Sequence, residues 1–136
     1  MSFSNQIIIN KIFKVGIYIR LSREDGDKLE SDSISNQRDI LQRYIKENRL
    51  VFIDEYKDDG ISGTTFDRPD FNRMIKDIEN KKINMVITKD LSRLGRDYIK
   101  TGYYIENYFP GKNVRYVSIL DGIDTFLDST NNDVTP

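Results

Sequence analysis

The sequence predicts an α/β fold: a three-layer sandwich in which helices flank a four- to five-stranded, mainly parallel sheet. Short apolar runs, typical of buried strands, alternate with amphipathic helical segments along the chain. Strands that are separated by helices pair in parallel through right-handed crossovers. With 136 residues, 38% of them hydrophobic, the chain has room for one domain with its own core.

The predicted elements follow one another in the order β-α-β-α-β-α-β. The strands, each a short apolar run, are Lys14–Tyr18, Leu50–Tyr56, Ile83–Thr88 and Val114–Leu120. The helices, whose apolar residues recur at helical spacing, cover Ile34–Asn48, the segment from Pro69 through Ile78, and Tyr98–Phe109. Ser33 is expected to cap the first helix, and Pro69 suits the first turn of the second. Turns are predicted at Lys57–Gly60 and Asp121–Gly122.

The composition excludes several classes of function. The chain has no cysteine and no histidine, so it has no disulfides, no thiolate nucleophile and no Ser-His-Asp triad. A metal site would have to use carboxylates alone, and we expect neither a metal nor another cofactor. No apolar run is long enough to cross a membrane, and residues 1–12 lack the basic start and long apolar core of a signal peptide. We therefore expect a cytoplasmic protein with no membrane partner.

The net charge of −1 argues against strong DNA binding by the surface as a whole, because phosphate contacts from Lys and Arg dominate DNA affinity. The arginines are unevenly distributed, however. Those that lie in three polar segments are Arg20, Arg23, Arg68, Arg93 and Arg96. This pattern predicts a local cationic pocket on a nearly neutral body.

Each of the three polar segments follows a predicted strand; they are Tyr18–Ser22, Asp59–Pro69 and Lys89–Asp97. Because the carboxyl ends of the strands form one rim in an open α/β sheet, side chains of these segments can converge there. Ser22 is a hydroxyl nucleophile that needs activation, and it stands two residues after Arg20. The planar fork of donors on arginine neutralises phosphate charge, so the pattern suggests chemistry on a phosphate.

With these three motifs in order and at compatible spacing, the chain resembles the N-terminal catalytic domain of serine recombinases, the resolvase/invertase family. Within that family it is most similar to the large serine recombinases that move mobile elements, such as the transposase-type enzymes of clostridial transposons. The resemblance covers roughly Lys14 to Asp128, which is nearly the whole chain. It implies a resolvase-like α/β fold, a phosphoserine chemistry and DNA recombination sites as the partner.

The resemblance also implies roles for individual residues. Ser22 matches the nucleophile, which attacks a DNA phosphodiester, forms a covalent phosphoserine link and leaves a free hydroxyl on the departing strand. The arginines that match the family residue by residue are Arg20, Arg68, Arg93 and Arg96. Fixed cations stabilise the charge that a phosphoryl transition state spreads over its oxygens. The other matched positions are Tyr18, which positions the arginines or simply packs, Gln37, which orders the site, and Asp59 with Ser62, beside the nucleophile.

Several interpretations stay open at the level of sequence. Turn chemistry explains Asp59 and Ser62 equally well, and Gln37 has the alternative of an ordinary polar helix residue. Ser92 departs from the small resolvases, where aspartate is common, which leaves open whether Asp90 or Asp97 supplies the carboxylate near Arg93. The tyrosines of the third helix suggest base stacking, but their helical spacing favours packing in the core or at an interface; they are Tyr98, Tyr103, Tyr104 and Tyr108.

We divide the chain into an N-terminal extension at residues 1–13, the catalytic domain at 14–128, and the start of a linker or long helix at 129–136. We expect a truncated piece of a larger protein. The full-length protein is expected to dimerise and assemble into a tetramer on DNA, whereas the fragment is expected to be an inactive monomer or weak dimer. The alternative is a non-catalytic assembly module or a phosphate-binding α/β module, but a phosphate binder needs a glycine-rich loop or an acidic Mg²⁺ cluster, which the first motif lacks.

Overall fold

The structure, a computed structural model, describes residues 11–21, 33–59 and 68–126. Within these ranges one sheet has the strand order β2-β1-β3-β4-β5. The strands are β1 (Lys14–Leu21), β2 (Val51–Asp59), β3 (Met85–Thr88), β4 (Arg115–Ser118) and β5 (Ile123–Asp124). The first four are parallel, and β5 pairs antiparallel with β4. The predicted α/β class with a mainly parallel sheet is therefore confirmed.

The helices of the described residues lie on both faces of this sheet. They are α1 (Ile34–Glu47), α2 (Pro69–Glu79), the single-turn α3 (Leu91–Leu94), α4 (Tyr98–Tyr103), which continues through a π-helical segment (Tyr104–Tyr108), and α5 (Phe109–Gly111). One core cluster joins α1 to residues such as Ile17 and Ile87, and a second joins α2 and the π-helical segment to Tyr18 and Tyr116. This arrangement is the predicted three-layer sandwich.

Alternation along β1 decides which side chains reach which layer. Successive residues of a strand point to opposite faces, so Ile17 and Ile19 join the cluster under α1, whereas Tyr18 joins the one under α2. Arg20 lies two residues after Tyr18 and therefore shares its face. The polar end of β1 is thus directed toward the layer that contains α2.

The start of each long helix is satisfied by a side chain outside it. The hydroxyl of Ser33 accepts a hydrogen bond from the Asn36 amide at 3.0 Å, so the predicted cap of α1 is confirmed. Pro69 occupies the first turn of α2, as predicted. Its neighbours, the amides of Asp70 and Phe71, donate to Asp58 on β2.

The turn predicted at Lys57–Gly60 is wrong as far as the described residues go, because β2 continues through Asp59. Parallel pairing with β1 extends to the register pair Leu21 and Asp59, and these hydrogen bonds override the turn preference of consecutive aspartates. The predicted third helix is also interrupted, since the regular hydrogen-bond pattern gives way to the π-helical segment at Tyr104.

The predicted N-terminal extension lies outside the described residues except for residues 11–13. The predicted start of a linker at residues 129–136 lies outside them completely, as do Ser22 and Ser62. Among the helices that the structure does describe, none combines the length and the apolar character that crossing a membrane requires.

Candidate active site

The hydroxyl of Tyr18 ties the end of β1 to β2 and α2. It donates to Oδ2 of Asp58 at 2.7 Å, and burial raises the pKa of the Tyr18 phenol, which keeps it a donor. The two oxygens of Asp58 also accept from the amides of Asp70 and Phe71, each at 3.0 Å. One buried carboxylate therefore fixes three elements at the carboxyl edge of the sheet.

Arg20 is buried beside α3, with only 1% of its surface exposed. Its Nη2 donates to the Ser92 carbonyl at 2.5 Å, and its Nε donates to the Arg93 carbonyl at 3.4 Å. Its Nη1 is buried and has no hydrogen-bond partner within residues 11–21, 33–59 and 68–126. Buried polar atoms are nearly always paired, so this donor is available to an acceptor that the described residues do not supply.

The electrostatic surroundings of Arg20 are cationic. Burial lowers the pKa of its guanidinium, and the charges of Arg96, Arg93 and Arg68 lower it further, while Tyr18 acts in the opposite direction. Positive groups gathered at low dielectric attract an anion more strongly than the same groups would in water. The site predicted as a local cationic pocket therefore has its centre at Arg20.

Arg93 is held from two sides on the one-turn helix α3. Its Nη1 donates to the Arg20 carbonyl at 3.1 Å, and its Nε lies 3.8 Å from Oδ2 of Asp90. The other oxygen of Asp90 accepts from the Arg93 amide at 3.2 Å and from the Ser92 hydroxyl at 2.5 Å. Asp97 instead caps α4, where its carboxylate accepts from the amides of residues 99 and 100. Asp90 is thus the carboxylate beside Arg93, and Ser92 is one of its donors.

Gln37 is fully buried on the first turns of α1 and clamps the backbone of Arg20. Its Oε1 accepts from the Arg20 amide at 3.3 Å, and its Nε2 donates to the Arg20 carbonyl at 3.1 Å. This carbonyl is also the acceptor for Arg93. This burial does not fit an ordinary polar helix residue, and the ordering role stays a prediction that the position of Gln37 suits.

Arg68 immediately precedes α2 and reaches across to α3. Its Nη1 donates to the Leu94 carbonyl at 2.6 Å, and its guanidinium carbon lies 4.0 Å from the ring centre of Phe71. Arg96 is exposed on the loop after α3, close enough for its charge to act on Arg20. The structure therefore brings together four of the five arginines that the sequence grouped, and Arg23 lies outside the described residues.

Asp59 is placed at the last position of β2, with its side chain exposed and its backbone in register with Leu21. Ser22 follows Leu21 in the chain but lies outside the described residues, as does Ser62. The predicted grouping of both serines with Arg68 and Arg93 consequently stays a prediction.

Two site residues were missed by sequence reasoning. Asp58 was assigned to a turn, although extending the alternation of β2 from buried Tyr56 would have placed it inward. Lys89, at the end of β3, is buried to 7% exposure, and its Nζ donates to Asn36 at 3.2 Å. No sequence signal separates this buried lysine from an ordinary charged loop residue.

The tyrosines of the third predicted helix divide into two groups. The rings of Tyr104 and Tyr108 pack against each other and against Phe109, so the packing interpretation is confirmed for them. Tyr98 and Tyr103 are exposed, at 92% and 53%. Within residues 11–21, 33–59 and 68–126, no group of three or more His, Cys, Asp or Glu side chains could hold a metal ion.

Buried arginines at the carboxyl edge of a mainly parallel sheet give this α/β domain a cationic site suited to an anion. Residues 15–134 match the family described as "Resolvase, N terminal domain", and the chain belongs to this family. It is a resolvase-type serine recombinase catalytic domain.

Solved structures agree with this assignment. The chain is similar to the N-terminal catalytic domain of TP901-1 integrase, with a TM-score of 0.73 and 31% identity over 88% of this chain and 94% of that one. It is also similar to a resolvase family site-specific recombinase from Streptococcus pneumoniae, with a TM-score of 0.71 and 29% identity over 91% of this chain and 83% of that one.

A curated relative from Bacillus subtilis (strain 168), named "Putative DNA recombinase", is 33% identical over 82 residues. The match covers 60% of this chain and spans only 16% of that relative's length.

Proposed function

We propose that this domain breaks and rejoins DNA strands at recombination sites, with Ser22 as the nucleophile. The observation that supports this most directly is the buried Nη1 of Arg20, which has no hydrogen-bond partner in the part of the chain that the structure describes and lies in the middle of the arginine cluster. A non-bridging phosphate oxygen is the acceptor that such a donor lacks. Ser22 follows this arginine by two residues, so a phosphate bound there would lie near its hydroxyl.

In the proposed step the Ser22 oxygen forms a bond to phosphorus and the bond to one strand oxygen breaks. The serine proton goes to a base, and the departing oxygen takes up a proton to become a free hydroxyl. Arg20 and Arg93 would stabilise the charge that develops on the phosphoryl oxygens. The phosphoserine link conserves the bond energy, so the reverse attack by a strand hydroxyl rejoins DNA without ATP.

The roles of the supporting residues follow from their contacts. Gln37 fixes the backbone of Arg20, and Asp90 orients Arg93 in place of the aspartate that Ser92 replaces. Tyr18 fixes the start of α2 through Asp58. Asp59 and Ser62 are proposed to lie beside the nucleophile, at the end of β2 and in the segment after it.

We further propose that the domain belongs to a large serine recombinase of a mobile element, as in the transposase-type enzymes of clostridial transposons. The similarity to the catalytic domain of TP901-1 integrase supports this assignment. The match to the Bacillus subtilis relative spans only 16% of that relative's length, which supports a longer protein. The domain would act in the cytoplasm, where such an element's DNA lies. Cutting both strands of two duplexes needs four serines, so a tetramer assembled on DNA is the expected active form.

The test is covalent trapping by the whole recombinase on plasmid DNA that carries the element's ends. Ser22→Ala is expected to bind this DNA normally and to form no covalent protein–DNA complex, because the bond-forming oxygen is absent. A covalent complex from that variant at the wild-type rate would exclude Ser22 as the nucleophile. A domain that binds DNA but never forms a covalent complex would instead be the non-catalytic assembly module.

Arg93→Lys is expected to lose most of the cleavage rate although it keeps the charge. One ammonium group cannot contact both the Arg20 carbonyl and Asp90 while also facing phosphate, which the guanidinium fork can do. The matched control is Arg43→Lys, because Arg43 is exposed on α1. Equal rates for the two variants would show that Arg93 is peripheral to the reaction.

A further inference from the structure

We propose that Asp121, in the turn between β4 and β5, is a positioning residue that holds Arg93 and Arg20 in place through α3. The proposal rests on the proposed function, since its readout is phosphoserine formation. Asp121 is remote in sequence from all three motifs, and the sequence interpretation assigns it only to a turn. Four contacts along the end of β4 carry the inference.

The helix α3 cannot hold its own position. It has four residues, Leu91–Leu94, and a single turn of helix is unstable without outside support. Its first amide, that of Leu91, donates to Oδ2 of Asp121 at 2.7 Å. The amide of Arg93 donates to Asp90. Each of these two amides is therefore bound by a carboxylate, one local and one from the turn after the neighbouring strand β4, and the Arg93 amide also donates to the Asp90 carbonyl at 3.2 Å.

The Asp121 carboxylate is itself fixed. The same Oδ2 accepts from the hydroxyl of Ser118 at 2.6 Å, and Ser118 is fully buried on β4. Beside it, the Leu120 amide donates to the Lys89 carbonyl at 2.9 Å, and the Ile119 amide donates to the Thr88 carbonyl at 3.1 Å. Three successive residues of the turn after β4, Ile119, Leu120 and Asp121, are thus hydrogen-bonded to the end of β3 and the start of α3.

The carbonyls of α3 in turn hold the arginines. Those of Ser92 and Arg93 accept from the guanidinium of Arg20, and that of Leu94 accepts from Arg68 at 2.6 Å. A displacement of α3 would therefore move Arg93 directly and withdraw acceptors from the other two. Because phosphoryl transfer depends on fixed cations, a small shift costs rate much more than it costs binding.

The experiment compares three variants of the whole recombinase in the covalent-trapping assay, below the melting temperature of each. Asp121→Ala is expected to form the phosphoserine link about 10- to 100-fold more slowly while its DNA affinity stays at the wild-type value. Asp121→Asn is expected to restore most of the rate, because both donors converge on one oxygen that an amide oxygen can replace. Because asparagine keeps the acceptor oxygen but not the charge, this rescue would show that Asp121 acts by hydrogen bonding rather than by its charge.

The matched control is Asp124→Ala. Asp124 lies on the adjacent β5 and binds Arg115 through both oxygens, at 2.9 and 2.6 Å, but it makes no described contact with α3. This variant should lose stability yet cleave at the wild-type rate while folded. A matching loss of rate in Asp124→Ala would overturn the proposal, because it would trace the effect to general loosening of the hairpin.

The rates of the Asp121 variants and of the wild-type protein also test the proposal. A wild-type rate for Asp121→Ala, or an Asp121→Asn variant as slow as the alanine variant, would refute the positioning role. If the wild-type protein itself formed no covalent complex, the proposed function would fail. If the wild type and Asp121→Ala formed the covalent complex at the same rate, the positioning role of Asp121 would be wrong, while the proposed function would stand.

Discussion

Gly95→Ala tests whether the spacing between Arg93 and Arg96 requires a residue without a side chain. A β-carbon built on Gly95 would lie 2.8 Å from the Thr101 hydroxyl oxygen and 3.8 Å from Nη2 of Arg68. The first distance is a few tenths of an ångström shorter than side chains tolerate, so an atom must move. Thr101 is buried, and its amide is bonded to the Asp97 carbonyl at 2.9 Å, which limits its retreat.

The expected cost follows from this overlap. Overpacking at a buried contact destabilises a protein by about 1–3 kcal/mol, and we expect Gly95→Ala to lower the free energy of unfolding by an amount in this range. The displacement should also push the loop that joins α3 to α4 outward. Since that loop follows Arg93 and contains Arg96, the rate of covalent complex formation should fall by about tenfold or more.

Urea denaturation measures the first effect, and covalent trapping measures the second. The matched control is Gly102→Ala, because a β-carbon on Gly102 would meet no described heavy atom within 4 Å outside its chain neighbours and the backbone of its own helix. Gly102 lies inside α4, where alanine is preferred to glycine by about 0.5–1 kcal/mol, so this variant should be slightly stabilised and fully active. If Gly95→Ala matches Gly102→Ala in both stability and rate, position 95 does not require glycine.

Two further substitutions test which contacts stabilise the fold of the domain. Gly16→Ala should destabilise it by about 1–3 kcal/mol, because the new β-carbon would meet buried ring and methyl carbons of Tyr56 and Ile83 at 2.7 and 2.8 Å; an unchanged urea midpoint would contradict this. The Arg38 guanidinium holds the pKa of Glu55 below its usual range through two 2.7 Å hydrogen bonds. A lowered carboxyl pKa adds stability above the unfolded value of about 4.3 that is lost as the pH falls through the folded value. Arg38→Ala should therefore be about 0.5–1 kcal/mol less stable than wild type near neutral pH, and the difference should vanish in acid. A difference that does not change with pH would refute the ion-pair account.

The sequence by itself determined the fold class, the mainly parallel pairing of the sheet, and the segments whose arginines form the cationic pocket. Apolar runs separated by amphipathic helices left parallel pairing as the solution, and the sheet has that form. The arginines were also recognisable in advance, because each lies in a polar segment after a strand. Parallel strand ends meet at one edge, so local spacing was enough to predict that Arg20 and Arg93 would meet.

Tertiary structure alone decided the partners of these side chains. A carboxylate at position 90, 97 or 121 looks the same in the sequence, yet Asp90 pairs with Arg93, Asp97 caps α4 and Asp121 crosses from another strand to hold α3. The bond from Asp121 joins residues 30 positions apart. No local preference encodes a contact of that separation, since it depends on the register of β3 against β4.

At the turn predicted at Lys57–Gly60, too, tertiary contacts rather than local sequence decided the hydrogen-bond partners of a carboxylate, that of Asp58. Consecutive aspartates favour a turn because their side chains bond nearby amides. In the fold, Asp58 bonds amides too, but they belong to α2, and its other donor is the hydroxyl of Tyr18 on the neighbouring strand. Local sequence therefore indicated that this carboxylate would accept hydrogen bonds from amides. The packing of β1 against β2 and α2 decided which donors it binds.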